Sequence, residues 1–515
     1  MLTVMQQQNL KLFLNRLEKS GLLNWTKKLT KQFPKAEVYL VGGAIRDALL
    51  NNQDNQDFDF VVRNVPVKNL EKFLKKEGSV NLVGQTFGVF KFVPKGIKTE
   101  ALDIALPRTE HSLGLKGGYK DFAIKSNPYL PITADLARRD FTINAFALLL
   151  KQKSDLVFID HFAGLKDLQA KKIRAVGTAQ LRFKEDYTRI LRALRFACQL
   201  NFAIETKTFS ALKRLTHHLN DLDQQSEYVT PRELIAKELV KAFLKNPARA
   251  LDLWLRSNAL KNLLPEIENM RHCPQPKNYH SEGNVFKHTA LALEYLQRPE
   301  FTWLFKDNKI SPNLVFATLL HDVGKPPTLK YQAKKMRYFD HEKIGAEIAT
   351  DICQRLKLPS AGFNLDTKKI AWLIQYHLLL IHGRASEMRA ATIEKYFFSA
   401  DYPGEDLLKL TLVDALATIP YGRKPVKSKS ELKNWPNLQG FFELQKRFRQ
   451  LKKLAPRAQN QLPPPLLNGY KIMKELKIKS GPKVGQVLTL LREAQLNGRI
   501  KNKAAAVKFI KTCQK

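Results

Sequence analysis

Acidic residues are scarce in this chain. Against 86 lysines and arginines stand 48 aspartates and glutamates, which leaves a formal net charge of +38 over 515 residues and a pI near 9.9. That imbalance exceeds what solubility requires and selects a polyanionic partner, most naturally RNA, because phosphate neutralisation supplies most non-specific affinity. Cysteines are few as well. Cys198, Cys273, Cys353 and Cys513 stand far apart with no paired spacing, which excludes a disulfide frame and a cysteine-rich zinc site. No apolar run approaches the ~18 residues of a membrane span, and the opening MLTVMQQQNLKLF lacks the apolar core of a secretory signal. Internal repeats are absent. The expectation is a reduced, cytoplasmic protein without membrane contact, divided into three or four domains.

What is present begins with VYLVGGAIRDALLNNQDNQDFDFVV, residues 38–62. It reads as strand, glycine turn, short helix, loop and second strand. On the second strand Asp57 and Asp59 share one face while Phe58 and Phe60 share the other. Two carboxylates so spaced either share hard divalent cations or form a solvated face. Gly42 and Gly43, lacking Cβ atoms, let the backbone approach a triphosphate. An amphipathic helix over 9–33 precedes this stretch. After it come a helix near 67–77 and the strands VNLVG, FGVFKFV and EALDIAL. Asp103, in the last, is either a third carboxylate for the same cations or a solvated one. Residues 108–131 are rich in glycine, lysine and proline and read as a mobile loop.

In LARRDFTINAFALLL, residues 136–150, Arg138 and Arg139 offer cationic forks for phosphate. Asp140 and Asn144 open a predicted helix whose apolar face is Ile143, Phe146, Ala147 and Leu150. FKEDYTRILRALRFACQLNF, residues 183–202, predicts a helix with the buried stripe Ile190, Leu191, Leu194, Ala197 and Cys198. Asp186 and Arg189, three apart, lie on one helix face. They make either a surface salt bridge or an acceptor and donor fork for a base edge.

LVGGAIRD followed by DFDF, then RRDFTINA, then EDxxR, together resemble the class II tRNA nucleotidyltransferase and bacterial poly(A) polymerase family. The resemblance implies an α+β chain: a polymerase-β-like nucleotidyltransferase head followed by all-helical neck, body and tail. It implies that Asp57 and Asp59 are catalytic and hold Mg²⁺. Gly42, Gly43, Arg46, Arg138, Arg139, Asp140 and Asn144 would bind the nucleotide. Asp186 and Arg189 would select C and A over U and G, with Arg192 and Arg195 toward phosphates or the head. The implied partners are tRNA, ATP and CTP, and a flexible loop at 108–131 would assist the change from CTP to ATP. IDHFAGLKDL, residues 159–168, resembles the family's hinge, with His161 and Ala163 where proline and a second glycine are usual.

Seven of the eleven histidines fall between 272 and 382. His288, His321-Asp322, His341, His377 and Asp414 sit in helical segments, in the order of the HD family of metal-dependent phosphohydrolases. By that resemblance His288, His321, Asp322 and Asp414 are core metal ligands. His341 and His377 would hold a second metal or contact substrate phosphate. The metal, whether Mg²⁺, Mn²⁺, Ni²⁺, Co²⁺ or Fe²⁺, is not fixed by such ligands. A basic linker and a C-terminal helical segment with a GPKVG turn close the chain; there Gly481, Gly485 and nearby lysines could meet a phosphate. The expected domains are 1–155, 156–275, 276–420 and 421–515. The leading expectation is CCA addition to tRNA. A-only, CC-only or poly(A) addition, a chiefly hydrolytic enzyme, and an RNA-binding protein with a dead head are the alternatives.

Overall fold

A computed structural model of the chain describes residues 2–52, 57–83, 89–112, 122–150, 156–305, 309–379, 387–399, 401–419, 428–454 and 462–513. They form two compact units, Met1–Lys245 with Asp252–Leu263, and Asn246–Leu251 with Leu264–Lys515.

The first unit opens with α1 (Val4–Lys19) and α2 (Asn24–Gln32). Gly21, at φ +75°, turns the chain between them, so the expected single helix is two. There follow β1 (Glu37–Val41), α3 (Gly43–Leu49), β2 (Asp59–Arg63), α4 (Val67–Glu77), β3 (Gly78–Val83), β4 (Val89–Pro94) and β5 (Leu102–Ala105). Next come β6 (Arg108–Ser112), β7 (Phe122–Ser126), α5 (Ile132–Ala137), β8 (Ala147–Leu149) and β9 (Val157–Ile159). Seven strands form one sheet in the order β3-β4-β5-β2-β1-β8-β9. Within this sheet, among the described residues, only β2 and β5 pair in parallel, and they set Asp59 opposite Asp103. The alternation at Phe58 and Phe60 has the expected consequence. Phe58 meets Phe13 of α1, and Phe60 meets Trp25 of α2 edge-on at 5.4 Å, while Asp59 takes the opposite side.

Two segments differ from expectation. Residues 142–150 are a single 3-10 turn (Thr142–Asn144) followed by β8, not a helix. Residues 108–126 carry a hairpin, β6 paired with β7, where a loop was expected; 113–121 lie outside the described residues.

Beyond the sheet run α6 (Gly164–Gln169), α7 (Ala179–Glu185), α8 (Thr188–Leu200), α9 (Thr206–Leu215) and α10 (Arg232–Lys245). The predicted stripe of α8 is buried at every position. Ala163, where glycine is usual, stands in the left-handed region at φ 55°; the Asp160 carboxylate holds that turn by accepting from Gly164 N and Leu165 N at 2.7 and 2.9 Å. Gly164 itself is required, since a Cβ there would lie 2.1 Å from Thr142 O.

The second unit is largely helical. Pro312–Leu320 is apolar nearly all round and buried from Asn313 onward, as a central helix must be. The helices Val285–Tyr295, Thr367–Tyr376 and Gly404–Ala417 pack on it, and His341–Arg355 packs on Thr367–Tyr376. The C-terminal helices Gly469–Leu476, Pro482–Leu496 and Lys503–Thr512 have a core of their own. Gly485 lies inside the second of these helices and not in a turn. Among the described residues no helix is long and apolar enough to cross a membrane.

Candidate active site and metal centre

In the first unit the site begins at the end of β1. Gly42 has φ 85° and ψ −143°, a conformation essentially reserved for glycine. A Cβ there would stand 2.7 Å from Arg139 Nη1 and 3.2 Å from Asp59 Oδ2. A guanidinium and a carboxylate therefore close over one bare stretch of backbone. Gly42→Ala is expected to cost about 1–3 kcal/mol, read as a lowered melting temperature, and to push the Arg139 head group aside.

Asp59 is mostly buried, Asp57 is exposed just ahead of the strand, and Asp103 pairs with Lys91 at 2.5 Å. Burial pushes the Asp59 carboxyl up to about 6; Arg139 opposes the shift, and Asp57, Asp103 and Asp135 add to it. Lys91 serves Asp103, and Arg138 and Arg139 serve Asp135; the buried Asp59 carboxyl, raised beside Asp57, fits a divalent cation held by these two residues.

Four of the other expected residues, Arg46, Asn144, Asp140 and Arg192, form one hydrogen-bonded chain. Arg46 Nη1 donates to Asn144 Oδ1 at 2.6 Å, and Asn144 Nδ2 donates to Asp140 Oδ1 at 3.0 Å. Asp140 Oδ2 takes Arg192 Nε at 2.8 Å and Nη2 at 2.6 Å. Burial alone would raise the Asp140 carboxyl, but Arg192 and Asn144 hold it well below the usual carboxylate range. Arg195 turns away into an ion pair with Glu238 at 2.5 Å.

Asp186 and Arg189 do not share a helix face. Asp186 stands ahead of α8, where its Oδ1 caps the first turn, accepting from Thr188 N at 2.8 Å and Oγ1 at 2.6 Å. Arg189 bonds Glu185 Oε2 at 2.5 Å and the Arg138 carbonyl at 3.2 Å, which seats the EDxxR turn beside the arginine pair. Two residues escaped the sequence reading. Fully buried Asp135 anchors Arg138 at 2.6 Å and Arg139 at 3.4 Å. Glu185 grips both Arg182 and Arg189. Their i, i+3 and i, i+4 spacings to those arginines were the available signal.

The second unit brings all six expected ligand positions to one point. His321, His341 and His377 each direct Nδ1 to a backbone carbonyl, of Thr318, Tyr338 and Ile374, at 2.8, 2.8 and 2.6 Å. Their Nε2 atoms then converge on Asp322, at 3.3 Å from Oδ2 and at 3.6 and 3.9 Å from Oδ1. His288 Nε2 meets Asp414 Oδ1 at 2.9 Å. Buried Nε2 of His321 and of His341 has no hydrogen-bond partner. An orphaned buried lone pair is costly unless a cation takes it, so the donor set fits a metal. His288 His321 Asp322 and Asp322 His341 His377 are each close enough to hold one ion.

Neighbours missed in the sequence complete the centre. Glu282 Oε1 accepts from His288 Nδ1 at 3.0 Å and from His280 Nδ1 at 2.6 Å, and Oε2 takes Ile419 N at 3.0 Å. Lys325 Nζ bonds Asp322 Oδ2 at 2.7 Å and Gln275 at 2.9 Å.

The family model described as Poly A polymerase head domain matches residues 38–174, and that of the HD domain matches 285–416. The multifunctional CCA protein of Methylobacillus flagellatus is 31% identical over 370 residues, 71% of this chain and 79% of the relative. That of Alkalilimnicola ehrlichii is 33% identical over 369 residues, with the same shares. The chain belongs to the CCA-adding tRNA nucleotidyltransferase family. Solved members of the family share its fold. The Bacillus stearothermophilus CCA-adding enzyme in complex with CTP aligns at TM-score 0.56 and 20% identity, over 96% of this chain and 97% of that one. The Thermotoga maritima CCA-adding enzyme complexed with tRNA aligns at 0.58 and 20%, over 97% and 96%.

Proposed function

We propose that this chain adds C, C and A to the 3′ end of tRNA from CTP and ATP, and carries a second centre that hydrolyses phosphoesters. The observation that carries the first activity is the meeting of Asp59, Arg139 and bare Gly42 at one point. Mg²⁺ held by Asp57 and Asp59 would activate the RNA 3′-hydroxyl and neutralise charge on the triphosphate. Gly42 admits the phosphates close to the backbone, and Arg139 supplies a charged fork anchored by Asp135. The 3′-oxygen bonds to the α-phosphorus, the bond from that phosphorus to the β-phosphate oxygen breaks, and pyrophosphate leaves. Gly43, Arg46, Arg138, Asp140 and Asn144 hold this floor rigid. Asp186, one oxygen engaged in its cap, offers the other to a base edge beside Arg189. Arg192, locked to Asp140, ties that selecting turn to the phosphate site.

Primer extension tests the reading. Transcripts ending before CCA, after C and after CC are each given CTP, ATP or both, beside an unstructured RNA. Stepwise C, C, A and a halt is the expected result. A single A on the CC-ended tRNA alone, or long A runs on the unstructured RNA, would replace it with A-adding or poly(A) activity.

The orphaned Nε2 atoms favour the second activity. A divalent ion among His288, His321, Asp322 and Asp414, with His341 and His377 beside it, would lower the pKa of bound water and polarise a phosphate. Glu282 holds the tautomer of His288 in which Nε2 faces the centre, as second-sphere carboxylates do. Glu282→Gln is expected to weaken metal binding there by about 10- to 100-fold, measured by titration with Mn²⁺ or Ni²⁺, and to leave nucleotide addition unchanged.

A further inference from the structure

Between Lys325 and His341 the chain makes an antiparallel hairpin, strands Leu329–Gln332 and Lys335–Tyr338. Its register sorts the side chains. Leu329, Tyr331, Met336 and Tyr338 share one face, while Lys330, Gln332, Lys335 and Arg337 share the other. Lys334 stands exposed at the turn. From Leu329 to Phe339 there is no acidic residue, and among the described residues none of the four cations has an ion-pair partner. The nearest acid, Asp340, is engaged with Lys343 at 2.6 Å.

Two aromatic rings on this arm also face solvent: Tyr331 is 66% exposed and Phe339 is 59% exposed. Solubility accounts for the cations and not for the rings. The root of the arm is fastened at the metal centre. Tyr338 OH donates to Pro274 O at 2.5 Å, its carbonyl accepts from His341 Nδ1, and its ring lies 5.7 Å from Lys325 Nζ.

We infer that the hairpin is a single-stranded RNA platform for the second centre, which therefore acts on the phosphorylated 3′ end of an RNA strand and not on small phosphoesters by preference. This rests on reading that centre as a phosphohydrolase. Tyr331 offers a ring for base stacking on one face of the narrow ribbon, and Lys330, Lys335 and Arg337 offer charge for the backbone on the other. A strand that wraps the ribbon's edge meets both, the combination a sequence-tolerant single-strand site needs. A lone phosphate would need only the cations, and a duplex would offer no bases to stack. The strand lies along the arm and delivers its terminal phosphate to the ligands at the root.

The test uses the full chain loaded with Mn²⁺ or Ni²⁺. The substrates are an RNA dodecamer ending in a 3′-phosphate or a 2′,3′-cyclic phosphate, and p-nitrophenyl phosphate with its bis ester. Tyr331→Ser with Phe339→Ser, and separately Lys330→Ser with Arg337→Ser, should lower kcat/KM on the dodecamer about tenfold or more. Rates on the nitrophenyl esters should stay at the wild-type value. Unchanged rates on the dodecamer would overturn the inference, and so would an equal fall on both substrate classes, which would mean a merely structural arm. If the wild type hydrolyses nothing, the phosphohydrolase reading fails by itself. Photocrosslinking of a dodecamer carrying 4-thiouridine at its 3′ end then decides the platform. Label on the Leu329–Phe339 peptide supports it, and label only elsewhere ends it.

Discussion

Asp59→Asn should reduce nucleotide addition on the order of 10³-fold or more while leaving hydrolysis at the second centre at its wild-type rate. The amide keeps the shape of the carboxylate but removes the charge around which the sheet is arranged. Asp59 lies opposite Asp103 and against Gly42, in a setting whose burial and acidic neighbours already disfavour ionisation. A wild-type carboxyl near 6 has a further consequence. Proton and cation compete for the same oxygens, so the Mg²⁺ needed for half-maximal addition should rise by up to about tenfold per unit as pH falls below 6. Above 6 the group is already ionised and the requirement should level off. Asp59→Asn must abolish this pH dependence along with the activity. Initial rates of CMP incorporation across pH 5 to 8 at several Mg²⁺ concentrations would measure both. Substantial addition by the Asn variant would remove Asp59 from the machinery.

Much of this site was legible in the sequence because the signals were local. A β-branched run, a glycine pair and an alternating Asp-Phe strand each depend on residues one or two apart. The histidine ligands were legible for a different reason: six acids and imidazoles are conspicuous among the apolar faces of helices. What failed depended on tertiary context. Ile143, Phe146, Ala147 and Leu150 fit a helical period, yet FALLL is also the continuous apolar run of a strand covered on both faces. It lies between β1 and β9, where such a run belongs. The β6–β7 hairpin has too few apolar residues to signal a strand. Asp186 was read onto a helix that begins two residues after it, at Thr188, because an Asp cap and a first-turn Asp look alike in sequence. Glu282 lies six residues before His288 in a loop, and no periodicity links them. Only the folded chain brings the carboxylate to Nδ1.

His321→Ala should abolish phosphoester hydrolysis, on the order of 10³-fold or more, with CCA addition unaltered; the pH dependence of metal binding tells how the centre is poised. His377 is held neutral down to about 3 by burial, reinforced by neighbouring His321, and burial likewise lowers His341. Their lone pairs stand ready. His288 is the exception. Burial opposes its charge, but hydrogen bonds to Asp414 and Glu282 prevail and raise it to about 9. In the metal-free protein at pH 7.5 this ring therefore carries a proton on each nitrogen, and the Nε2 proton must leave before that atom can bind a metal. Each ion bound through His288 should release about one proton, and apparent affinity should climb about tenfold per pH unit, flattening above pH 9. Calorimetry with Mn²⁺ in two buffers of different ionisation enthalpy would count that proton. Glu282→Gln takes the charge from one of the two acceptors that raise the His288 ring and so weakens that bond, and the release should shrink in that variant even as the ion binds more weakly. Release that is absent in the wild type would mean that His288 stays outside the coordination sphere, with the His321, His341 and His377 side chains as the imidazole ligands.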